Sequence, residues 1–377
     1  MSNDTVSTAN PHFAATLLRW FSIHRRPLPW RETRDPYPVW LSEIILQQTR
    51  IQQGQAYWER FMHRWPTVGR LAAATEDEVL REWQGLGYYS RARHLHAAAK
   101  MVADMGRFPS TYDEIRGLPG VGDYTAAAVA SIAFDLPHAV VDGNVYRVLS
   151  RYFGIETPID STAGKHTFAA LAQSLLPPDR ASDFNQAMMD FGALQCTPQS
   201  PRCLDCPLSD TCDALHTGRT SLLPVRQKKT AVQTRHFSYV YVRLLPDPSA
   251  PAATPVLTAL RRRPSGDIWQ GLWEPLLFEE TTGIDVPALF PDSAHGCADG
   301  ARPWRLSLLQ SGVRHVLTHR IILADFYLLE TRLRPSLPGG YVWVPEPQLS
   351  AHALPRLVER LLQGMGATEK EAASQQV

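Results

Sequence analysis

Four of the five cysteines lie within seventeen residues and form a C-x6-C-x2-C-x5-C run: Cys196, Cys203, Cys206 and Cys212. Thiolates this close repel one another unless a metal ion or an iron–sulfur cluster offsets their charge. Zinc sites commonly use two separated Cys or His pairs, and only one C-x2-C pair is present here. The spacing therefore favours a [4Fe–4S] cluster, and zinc or metal-free buried thiols are the alternatives. Cys297 stands alone and predicts no ligand role.

Two carboxylates lie where the sequence predicts helices. Glu43 belongs to Trp40–Arg50, in which apolar residues recur at helical spacing. Asp142 precedes a second such stretch that runs to about Phe153, and a negative charge at a helix start is favoured by the helix dipole. Taken one at a time, Glu43 is also explained as a surface glutamate and Asp142 as an ordinary helix cap.

A glycine-rich hairpin at Leu118–Gly122 follows the short helical stretch Tyr112–Ile115 and precedes another helix. Glycine lets the backbone approach a neighbour closely, and the first N–H groups of the next helix point outward at the positive end of its dipole. Gly120, Val121 and Gly122 therefore suit one DNA phosphate. An ordinary connection between two helices explains the same residues.

The elements that must position these residues are predicted to be mostly helical over residues 11–215, because apolar residues recur there at helical spacing between short Gly- and Pro-rich connections. Residues 216–235 contain arginines and lysines without acids and predict an exposed basic linker. Short β-branched and aromatic runs predict a smaller α/β domain over 236–362. Residues 1–10 are expected to be disordered, and 363–377 to form a flexible tail.

Composition restricts the class of protein. The chain has 377 residues and a mass of 42.2 kDa, which suggests about two domains. A net charge of +1 excludes a histone-like polycation but leaves room for a local nucleic-acid-binding surface. Five cysteines are too few for a disulfide scaffold. No apolar run reaches the roughly 18 residues of a membrane span, and the polar first ten residues do not resemble an export signal.

A helix–hairpin–helix, an aspartate about twenty residues later and a four-cysteine loop follow one another in the order seen in the helix–hairpin–helix DNA glycosylase superfamily. Residues 25–215 therefore resemble endonuclease III and its relatives. Five segments further resemble the MutY-type adenine DNA glycosylase family: Pro29–Arg31, Trp40–Arg50, Gly85–Arg91, Val141–Asn144 and Phe184–Ala187. The resemblance implies a multi-domain fold, with a mainly α helix–hairpin–helix domain that carries an iron–sulfur loop at 196–212 and a smaller α/β Nudix-like domain.

The resemblance implies that two carboxylates share the chemistry of base removal. Glu43 would protonate adenine at N7 while the N-glycosidic bond breaks, and Asp142 would stabilise the oxocarbenium ion that remains. Tyr124 and Asn144 would orient groups around Asp142 and the sugar. In strand-cutting relatives a lysine at the position of Tyr124 forms an imine with the sugar, so the tyrosine predicts base removal without efficient lyase activity.

The resemblance also assigns residues to the DNA. The hairpin Gly120, Val121 and Gly122 would hold a phosphate, and the four clustered cysteines would hold the [4Fe–4S] cluster. The implied base-recognition residues are Gln48 and Tyr88 as wedges beside the partner base, Thr49 and Leu86 beside them in sequence, and Arg31 and Gln186 in the adenine pocket.

Residues 257–274 resemble the Nudix-like C-terminal domain of the same family. A hydrolytic Nudix enzyme needs a glutamate-rich helix that holds Mg²⁺. After Trp273 the sequence offers only Glu279–Glu280 and Gly283, which argues against a nucleotide-pool hydrolase. In the family this domain recognises 8-oxoguanine opposite the target adenine, so a reader of the damaged base is expected.

The family carries a Phe-Ser-His segment in this domain, and Leu317–Thr318–His319 stands in its place within the strand-like stretch Val313–Phe326. We expect Thr318 and His319 to contribute to damage recognition despite the loss of the aromatic ring. The alternative is that His319 is an ordinary histidine within a strand.

These features predict a monofunctional adenine DNA glycosylase of base-excision repair, which flips out adenine opposite 8-oxoguanine or guanine. The expected partner is double-stranded DNA with 8-oxoguanine:A or G:A, bound by a monomer, and the expected location is the bacterial cytoplasm at the nucleoid. One alternative is an endonuclease III-like pyrimidine-lesion glycosylase and lyase, which Tyr124 and the appended domain disfavour. The other is a non-catalytic iron–sulfur DNA-binding protein, which Glu43 and Asp142 disfavour.

Overall fold

The computed structural model of the chain describes residues 10–227, 232–279, 284–291 and 304–374. Contacts between residues divide the chain into two compact units, each built from two stretches. The first unit contains the chain up to Ala74 and from His94 to Lys229, and the second contains Thr75–Arg93 and the chain from Thr230 onward. The short stretch Thr75–Arg93 therefore separates from the helices around it in sequence. The domain borders at 215 and 236 stay predictions.

Helices dominate the first unit, as the spacing of its apolar residues predicts. The helices are α1 Asn10–His24, α2 Pro36–Ile45, α3 Ile51–Arg64, α4 Val68–Ala72, α5 Glu76–Glu82, α6 Ser90–Met105, α7 Tyr112–Arg116, α8 Asp123–Phe134, α9 Gly143–Tyr152, α10 Thr162–Leu175, α11 Ala181–Leu194 and α12 Asp213–His216. Of these, α5 and the first turn of α6 belong to the second unit. Thr111 caps α7 and forms a capping box with Glu114, which explains why so short a helix begins there.

The apolar cores of the first unit include two that pack its helices together. The larger one packs α1, α9, α10 and α11 around side chains such as Phe168, Phe184 and Phe191. The smaller one joins α2 to α8 through Val39 and Ala128. Because most of α8 consists of small residues, α2 can pack closely against it, and this pairing sets the distance between the residues that the two helices carry.

The predicted helix Trp40–Arg50 is broken in the structure. Helix α2 ends at Ile45, and α3 begins at Ile51. Gln48 lies between them with a φ of 55°, in the left-handed region. A helix cannot continue through that conformation. The break cannot be recognised from local sequence, because residues 46–50 contain neither glycine nor proline.

The second unit contains a mixed sheet and a helix that covers it. Its described elements are β1 Gln233–Leu244, β2 Leu257–Arg262, β3 Trp273–Glu274, β4 Leu276–Glu279, β5 Trp304–Val316, β6 Arg320–Thr331, β7 Tyr341–Pro345 and α13 Arg356–Ser374. The order across the sheet is β3-β2-β1-β6-β5, with β4 also paired to β1 and β7 to β2. Strands β1 and β6 are parallel, and the other pairs are antiparallel.

Alternate residues of β1 face opposite sides of this sheet, as the pleat requires. Phe237 and Tyr239 lie in a core with Leu357 of α13. Val240 and Val242 belong to a second core. The sheet is therefore apolar on both faces, and its runs of β-branched and aromatic residues in the sequence reflect that double burial.

The segment predicted as an exposed basic linker is partly structured and partly neutralised. The two ends of residues 216–235 belong to α12 and β1. Arg219 pairs with Asp213, and Arg235 pairs with Asp267. The prediction of cations exposed for a polyanion is wrong for these two arginines, because the tertiary fold supplies acids that the segment itself lacks.

The predicted flexible tail, residues 363–377, is helical over its described part, since α13 runs to Ser374. Its alanines, glutamates and lysine are good helix formers, which accounts for the difference. Residues 1–9, the two lysines Lys228 and Lys229, and Cys297 lie outside the described residues. Within the described ranges, no helix combines the length and the apolar character that crossing a membrane requires.

Candidate active site

Helix α2 is buried on all sides and carries Glu43 near its C-terminal end. Asp35 caps the helix by accepting a hydrogen bond from the Tyr37 amide at 3.0 Å, and Pro36 occupies its first position. All residues from Tyr37 to Ile45 are buried. Glu43 is only 7% exposed, so the alternative of a surface glutamate is wrong.

Glu43 accepts a hydrogen bond from the Tyr124 hydroxyl of α8, with 2.8 Å between Tyr124 Oη and Glu43 Oε2. Burial raises the pKa of Glu43 from 4.5 to about 7; the charge of Asp142 also raises it, whereas the hydrogen bond from Tyr124 and the charge of Arg31 lower it. Burial and the charge of Glu43 raise the pKa of Tyr124 well above its ordinary value, so its hydroxyl stays a donor. A carboxyl group with a pKa near neutrality can give and take a proton at physiological pH.

Asp142 caps α9, as the sequence indicates. Its Oδ1 accepts hydrogen bonds from the Asn144 and Val145 amides at 2.8 Å each, and its Oδ2 accepts one from Asn144 Nδ2 at 2.7 Å. Burial raises the pKa of Asp142, and these hydrogen bonds oppose the rise. Asp142 therefore combines a capping role with a place among buried groups, and the cap alone does not describe it.

Glu43 and Asp142 line the same cavity, which has a volume of about 610 Å³. The predicted site residues Arg31, Thr49, Tyr124, Asn144 and Gln186 line it too. Among the described residues that line the cavity there is no lysine. One recess therefore brings together a carboxyl group that can hold a proton and a second carboxylate rich in hydrogen bonds.

Arg147 is a site residue that the sequence analysis missed. Its Nη2 donates to Asn144 Oδ1 at 2.8 Å and to the Gly192 carbonyl at 2.6 Å. Its Nε donates to the Cys196 carbonyl at 2.7 Å. Arg147 thus holds Asn144, the partner of Asp142, and connects it to the first cysteine of the 196–212 loop. An arginine one turn inside a predicted helix carries no signal for such a role.

Arg31 lies in a buried ion pair that the sequence also did not reveal. Its Nη1 and Nη2 donate to the two carboxylate oxygens of Asp190 at 2.8 and 2.9 Å. Arg26 Nε donates to Asp190 Oδ1 at 2.9 Å, and its backbone amide donates to Oδ2 at 3.3 Å. Burial alone would raise the pKa of Asp190, but the hydrogen bonds from Arg31 and Arg26 bring it below its ordinary value.

The two predicted glutamines differ in exposure, since Gln186 is buried and Gln48 is exposed. Gln186 is buried on α11, and its amide nitrogen donates to Ser182 Oγ at 3.1 Å. Gln48 is exposed in the break between α2 and α3, with its left-handed φ. Left-handed non-glycine residues store strain and often mark functional positions. Thr49, next to Gln48, is half-buried and lines the cavity.

In the hairpin before α8 the two glycines are exposed and the valine between them is buried. Gly120 has a φ of +75°, and a Cβ there would lie 2.5 Å from His94 Cβ. Gly120 and Gly122 are exposed, whereas Val121 is 4% exposed and anchors the turn. The exposed backbone and the N-terminal end of α8 fit the predicted phosphate site.

The four cysteines of the 196–212 loop surround one small cavity. Arg151 lies beside them and donates from Nη1 to Cys196 Sγ at 3.4 Å and to the Thr197 carbonyl at 2.8 Å. Burial, with repulsion between the thiolates, raises the pKa of Cys206 to about 11. In the parts of the chain that the structure describes, no three Cys, His, Asp or Glu side chains are grouped so that they could hold a single metal ion.

The second unit has its own cavity of about 520 Å³, lined by Tyr88, Thr318 and His319 among others. The hydroxyl groups of Tyr88 and Thr318 are hydrogen-bonded to each other. Leu86, in contrast, is 8% exposed and lies away from the surface. The second unit thus brings together three of the residues predicted to contact the partner base.

Thr318 and His319 form the exposed turn between β5 and β6, so the prediction of a continuous strand-like stretch from Val313 to Phe326 is wrong. The two strands pair antiparallel right up to Val316, which forces the chain to reverse within three residues. The turn is hard to recognise in the sequence because Leu317–Thr318–His319 contains no Gly, Pro, Asn, Asp or Ser. A hairpin tip exposes both polar side chains, and the alternative of a histidine within a strand is excluded.

Tyr88 is held by its own segment. It is 45% exposed and has a φ of 48°, and both Gly85 and Gly87 are left-handed as well. Trp83 Nε1 donates to the Gly87 carbonyl at 2.9 Å. The Arg91 guanidinium lies 5.1 Å from the Trp83 ring centroid and 5.4 Å from that of Tyr88. A cation against two aromatic rings favours one orientation of both, so Arg91 supports the position of the exposed Tyr88 ring.

Both units contain residues that match a known protein family. Residues 41–174 match the family described as HhH-GPD superfamily base excision DNA repair protein, and residues 257–364 match the NUDIX domain. An adenine DNA glycosylase of Rattus norvegicus is 37% identical over 380 residues, which cover 87% of this chain and 73% of the rat protein. The chain belongs to the adenine DNA glycosylase family.

Other relatives in the family match over a smaller share of their length. The adenine DNA glycosylase of Mus musculus is 42% identical over 269 residues, or 67% of this chain, and the match spans 52% of the mouse protein. The solved structure of a thermostable thymine-DNA glycosylase is 32% identical and superimposes with a TM-score of 0.52 over 56% of this chain and 98% of that chain. The predicted fold class, a helical helix–hairpin–helix domain with a Nudix-like α/β domain, is confirmed.

Proposed function

We propose that the protein is a monofunctional adenine DNA glycosylase that hydrolyses the N-glycosidic bond of adenine opposite 8-oxoguanine or guanine in double-stranded DNA. The observation that carries the proposal is the shared cavity of Glu43 and Asp142, in which the pKa of Glu43 is raised to about 7. The names of the rat and mouse relatives support adenine as the target base.

The two carboxylates divide the reaction. Protonated Glu43 gives its proton to N7 of the flipped adenine, and the C1′–N9 bond breaks with its electron pair going to the base. The sugar is left as an oxocarbenium ion, which the Asp142 carboxylate stabilises. Glu43, now ionised, takes a proton from the water that attacks C1′. Adenine and an abasic sugar are the products, and the acid returns to its starting state.

Selection of the target precedes this chemistry. Extruding a base from the duplex costs a few kcal/mol and costs less for a mispaired base. Exposed Gln48 and Tyr88 are suited to fill the stack, and Thr318 and His319 are suited to contact the partner base. The hydrogen bond between Tyr88 and Thr318 supports a shared role for these two residues. Gly120 and Gly122 would hold a backbone phosphate.

Glu43→Gln tests the proposal. This variant keeps the size and the hydrogen-bonding capacity of Glu43 but cannot deliver a proton. We expect single-turnover release of adenine from 8-oxoguanine:A and G:A duplexes to disappear, while binding of the duplex in a mobility-shift assay persists. Glu59→Gln, at an exposed position of α3, is the matched control and should behave as wild type.

The substrate panel separates this function from its alternatives. Duplexes with T:G and with thymine glycol, run beside the adenine substrates, report the thymine-DNA and endonuclease III-like activities. Release of thymine or thymine glycol without adenine would refute the proposal, as would a near wild-type rate of adenine release by Glu43→Gln. Duplex binding without release of any base would instead indicate a non-catalytic DNA-binding protein.

We further propose that Cys196, Cys203, Cys206 and Cys212 hold a [4Fe–4S] cluster. Four thiols that line one small cavity are the donor set that such a cluster needs. The cluster would order the 196–212 loop, whose Cys196 carbonyl accepts from Arg147. About four iron atoms and four acid-labile sulfides per chain are expected on analysis of the purified protein. One zinc ion per chain in their place would contradict the assignment.

The location in the bacterial cytoplasm and the monomeric state on DNA stay predictions. Fractionation of cells and light scattering of the protein–duplex complex are the measurements that address them.

A further inference from the structure

Asp190 is a fully buried carboxylate on α11 that has no part in the chemistry described above. The two oxygens of Asp190 form a bidentate ion pair with the guanidinium of Arg31. They also accept hydrogen bonds from the guanidinium and the backbone amide of Arg26. An isolated charge at such depth would be costly, and two arginines around it remove that cost. One carboxylate thus holds two cations in fixed positions.

One of these cations shares a cavity with the proposed acid. Arg31 and Glu43 both line the 610 Å³ cavity. An arginine that pairs with a carboxylate holds it in its ionised form and lowers its pKa by about 1–3 units. If Arg31 paired with Glu43, the proton that adenine needs would be lost. Arg31 instead forms a bidentate ion pair with Asp190, in which each of two guanidinium nitrogens binds one carboxylate oxygen.

We propose that Asp190 is a positioning residue that engages the charge of Arg31 and so prevents Arg31 from pairing with Glu43, which leaves Glu43 able to carry the proton for the leaving base. The inference rests on the proposed function, since it concerns the acid of that reaction. It assigns to Asp190 a specific electrostatic task in addition to its contribution to packing.

Apart from the exposed Arg50, the other charged and titratable groups that line the cavity with Glu43 have partners. Tyr124 of α8 donates to Glu43, and Asp142 accepts three hydrogen bonds at the start of α9. Arg147 of α9 is committed to Asn144 and two backbone carbonyls. The remaining cations that line the cavity are Arg26, which binds Asp190, and Arg50, which is exposed between α2 and α3. Arg31 is therefore the cation whose partner decides the state of Glu43.

The test is the pH profile of single-turnover adenine release from an 8-oxoguanine:A duplex by the full-length protein. Asp190→Asn removes the charge with little change in size and releases Arg31. We expect the alkaline limb of the profile, where Glu43 loses its proton, to move to lower pH by about one unit or more. This corresponds to a loss of roughly tenfold or more above the limb and a much smaller loss below it. A purely structural defect would lower the rate by the same factor at every pH.

Two further variants complete the design. Asp190→Glu retains the charge and should keep the limb near its wild-type position. The double variant Asp190→Asn with Arg31→Met removes the liberated cation as well, so its limb should return to the wild-type pH or lie above it, whatever its maximal rate. Thermal melting of each variant shows whether the fold is retained.

The outcomes separate the inference from the function on which it rests. A wild-type alkaline limb that Asp190→Asn leaves in place overturns the inference alone. If Asp190→Asn does not fold, the double variant decides, because a limb below the wild-type position contradicts the role of Arg31. A wild-type protein that releases no adenine at any pH refutes the proposed function instead.

Discussion

At the scale of residues, the two carboxyl groups of the cavity differ in the hydrogen bonds they receive. Asp142 accepts three, from two backbone amides and one side chain, whereas the described contacts of Glu43 include a single one from Tyr124. Hydrogen bonds to an anion favour it. Burial raises the pKa of both groups, and the three hydrogen bonds of Asp142 oppose that rise. This difference favours Glu43 as the proton carrier and Asp142 as the anion, which is the division that an acid-assisted glycosidic cleavage needs.

The raised pKa of Glu43 predicts a cost in stability that varies with pH. The unfolded chain loses this proton near pH 4.5 and the folded chain near pH 7. The contribution of Glu43 to the free energy of unfolding is therefore fully present below pH 4.5. It falls as pH rises towards 7, by an amount on the order of 3 kcal/mol. Glu43→Gln removes the effect.

The measurement is the melting temperature of Glu43→Gln minus that of wild type across the same interval. The difference should grow in favour of the variant from about pH 5 to about pH 8. Glu59→Gln, which changes an exposed glutamate, should show no such trend. A difference that stays constant over this interval would mean that Glu43 is not buried as described.

Tyr124 predicts how the protein treats an abasic site. A tyrosine in place of the lysine cannot form an imine with C1′, and the described residues that line the cavity include no lysine. Reduction with borohydride in the presence of abasic DNA should therefore trap little covalent adduct. Tyr124→Lys provides the comparison, because it restores an amine at this position. Efficient trapping by the wild-type protein would show that another amine acts as the nucleophile.

At the scale of elements, α9 connects the chemistry to the cysteine loop. Asp142 begins the helix, Asn144 binds Asp142, and Arg147 one turn on reaches both Asn144 and the Cys196 carbonyl. The contact between Asn144 and Arg147 follows from the 3.6-residue repeat, which brings the second and fifth residues of the helix to the same side. The start of α9 is therefore held both by the Asp142 cap and by the contacts of Arg147 with Asn144 and the Cys196 carbonyl.

The cap and the charge of Asp142 can be separated by substitution. Asparagine is about as good a helix cap as aspartate, whereas alanine costs about 1 kcal/mol. Both Asp142→Asn and Asp142→Ala should reduce adenine release by roughly a hundredfold or more, because the stabilising charge is gone. Only Asp142→Ala should also lower the free energy of unfolding, measured by chemical denaturation. Equal destabilisation by the two variants would contradict the capping role of the side chain.

At the scale of the whole molecule, each compact unit contains a cavity with its own chemistry. The first unit surrounds Glu43 and Asp142, and the second surrounds Tyr88, Thr318 and His319. The stretch Thr75–Arg93, which carries Tyr88, belongs by its contacts to the second unit, although α4 before it and most of α6 after it belong to the first. The residues proposed to recognise the partner base therefore belong to a different unit from the residues proposed to release adenine.

Thr318→Ala and His319→Ala should lower the ratio between adenine release opposite 8-oxoguanine and release opposite guanine. A lost hydrogen bond to the partner base is worth about 1 kcal/mol, or roughly a fivefold change in the ratio. Ser336→Ala, at another exposed hydroxyl of the second unit, is the matched control. An unchanged ratio in both variants would remove the reader role from this turn.

Local sequence determined the elements and the inventory of chemical groups. The run into Asp142 predicts the cap of α9, which the structure has, and the β-branched runs lie in β1 and β7. The four cysteines within seventeen residues predict a common site, and they surround one cavity. Such features are readable because caps, periodicity and short-range spacing act over a few residues.

The tertiary structure decided the environment of each group. Burial of Glu43, its contact with Tyr124, and the pairing of Arg31 with Asp190 join residues that lie about 80 to 160 positions apart. Periodicity predicts which residues can form a helix, but the proton affinity of a carboxyl group is set by the water it loses and the charges it meets. Those are properties of the packed chain.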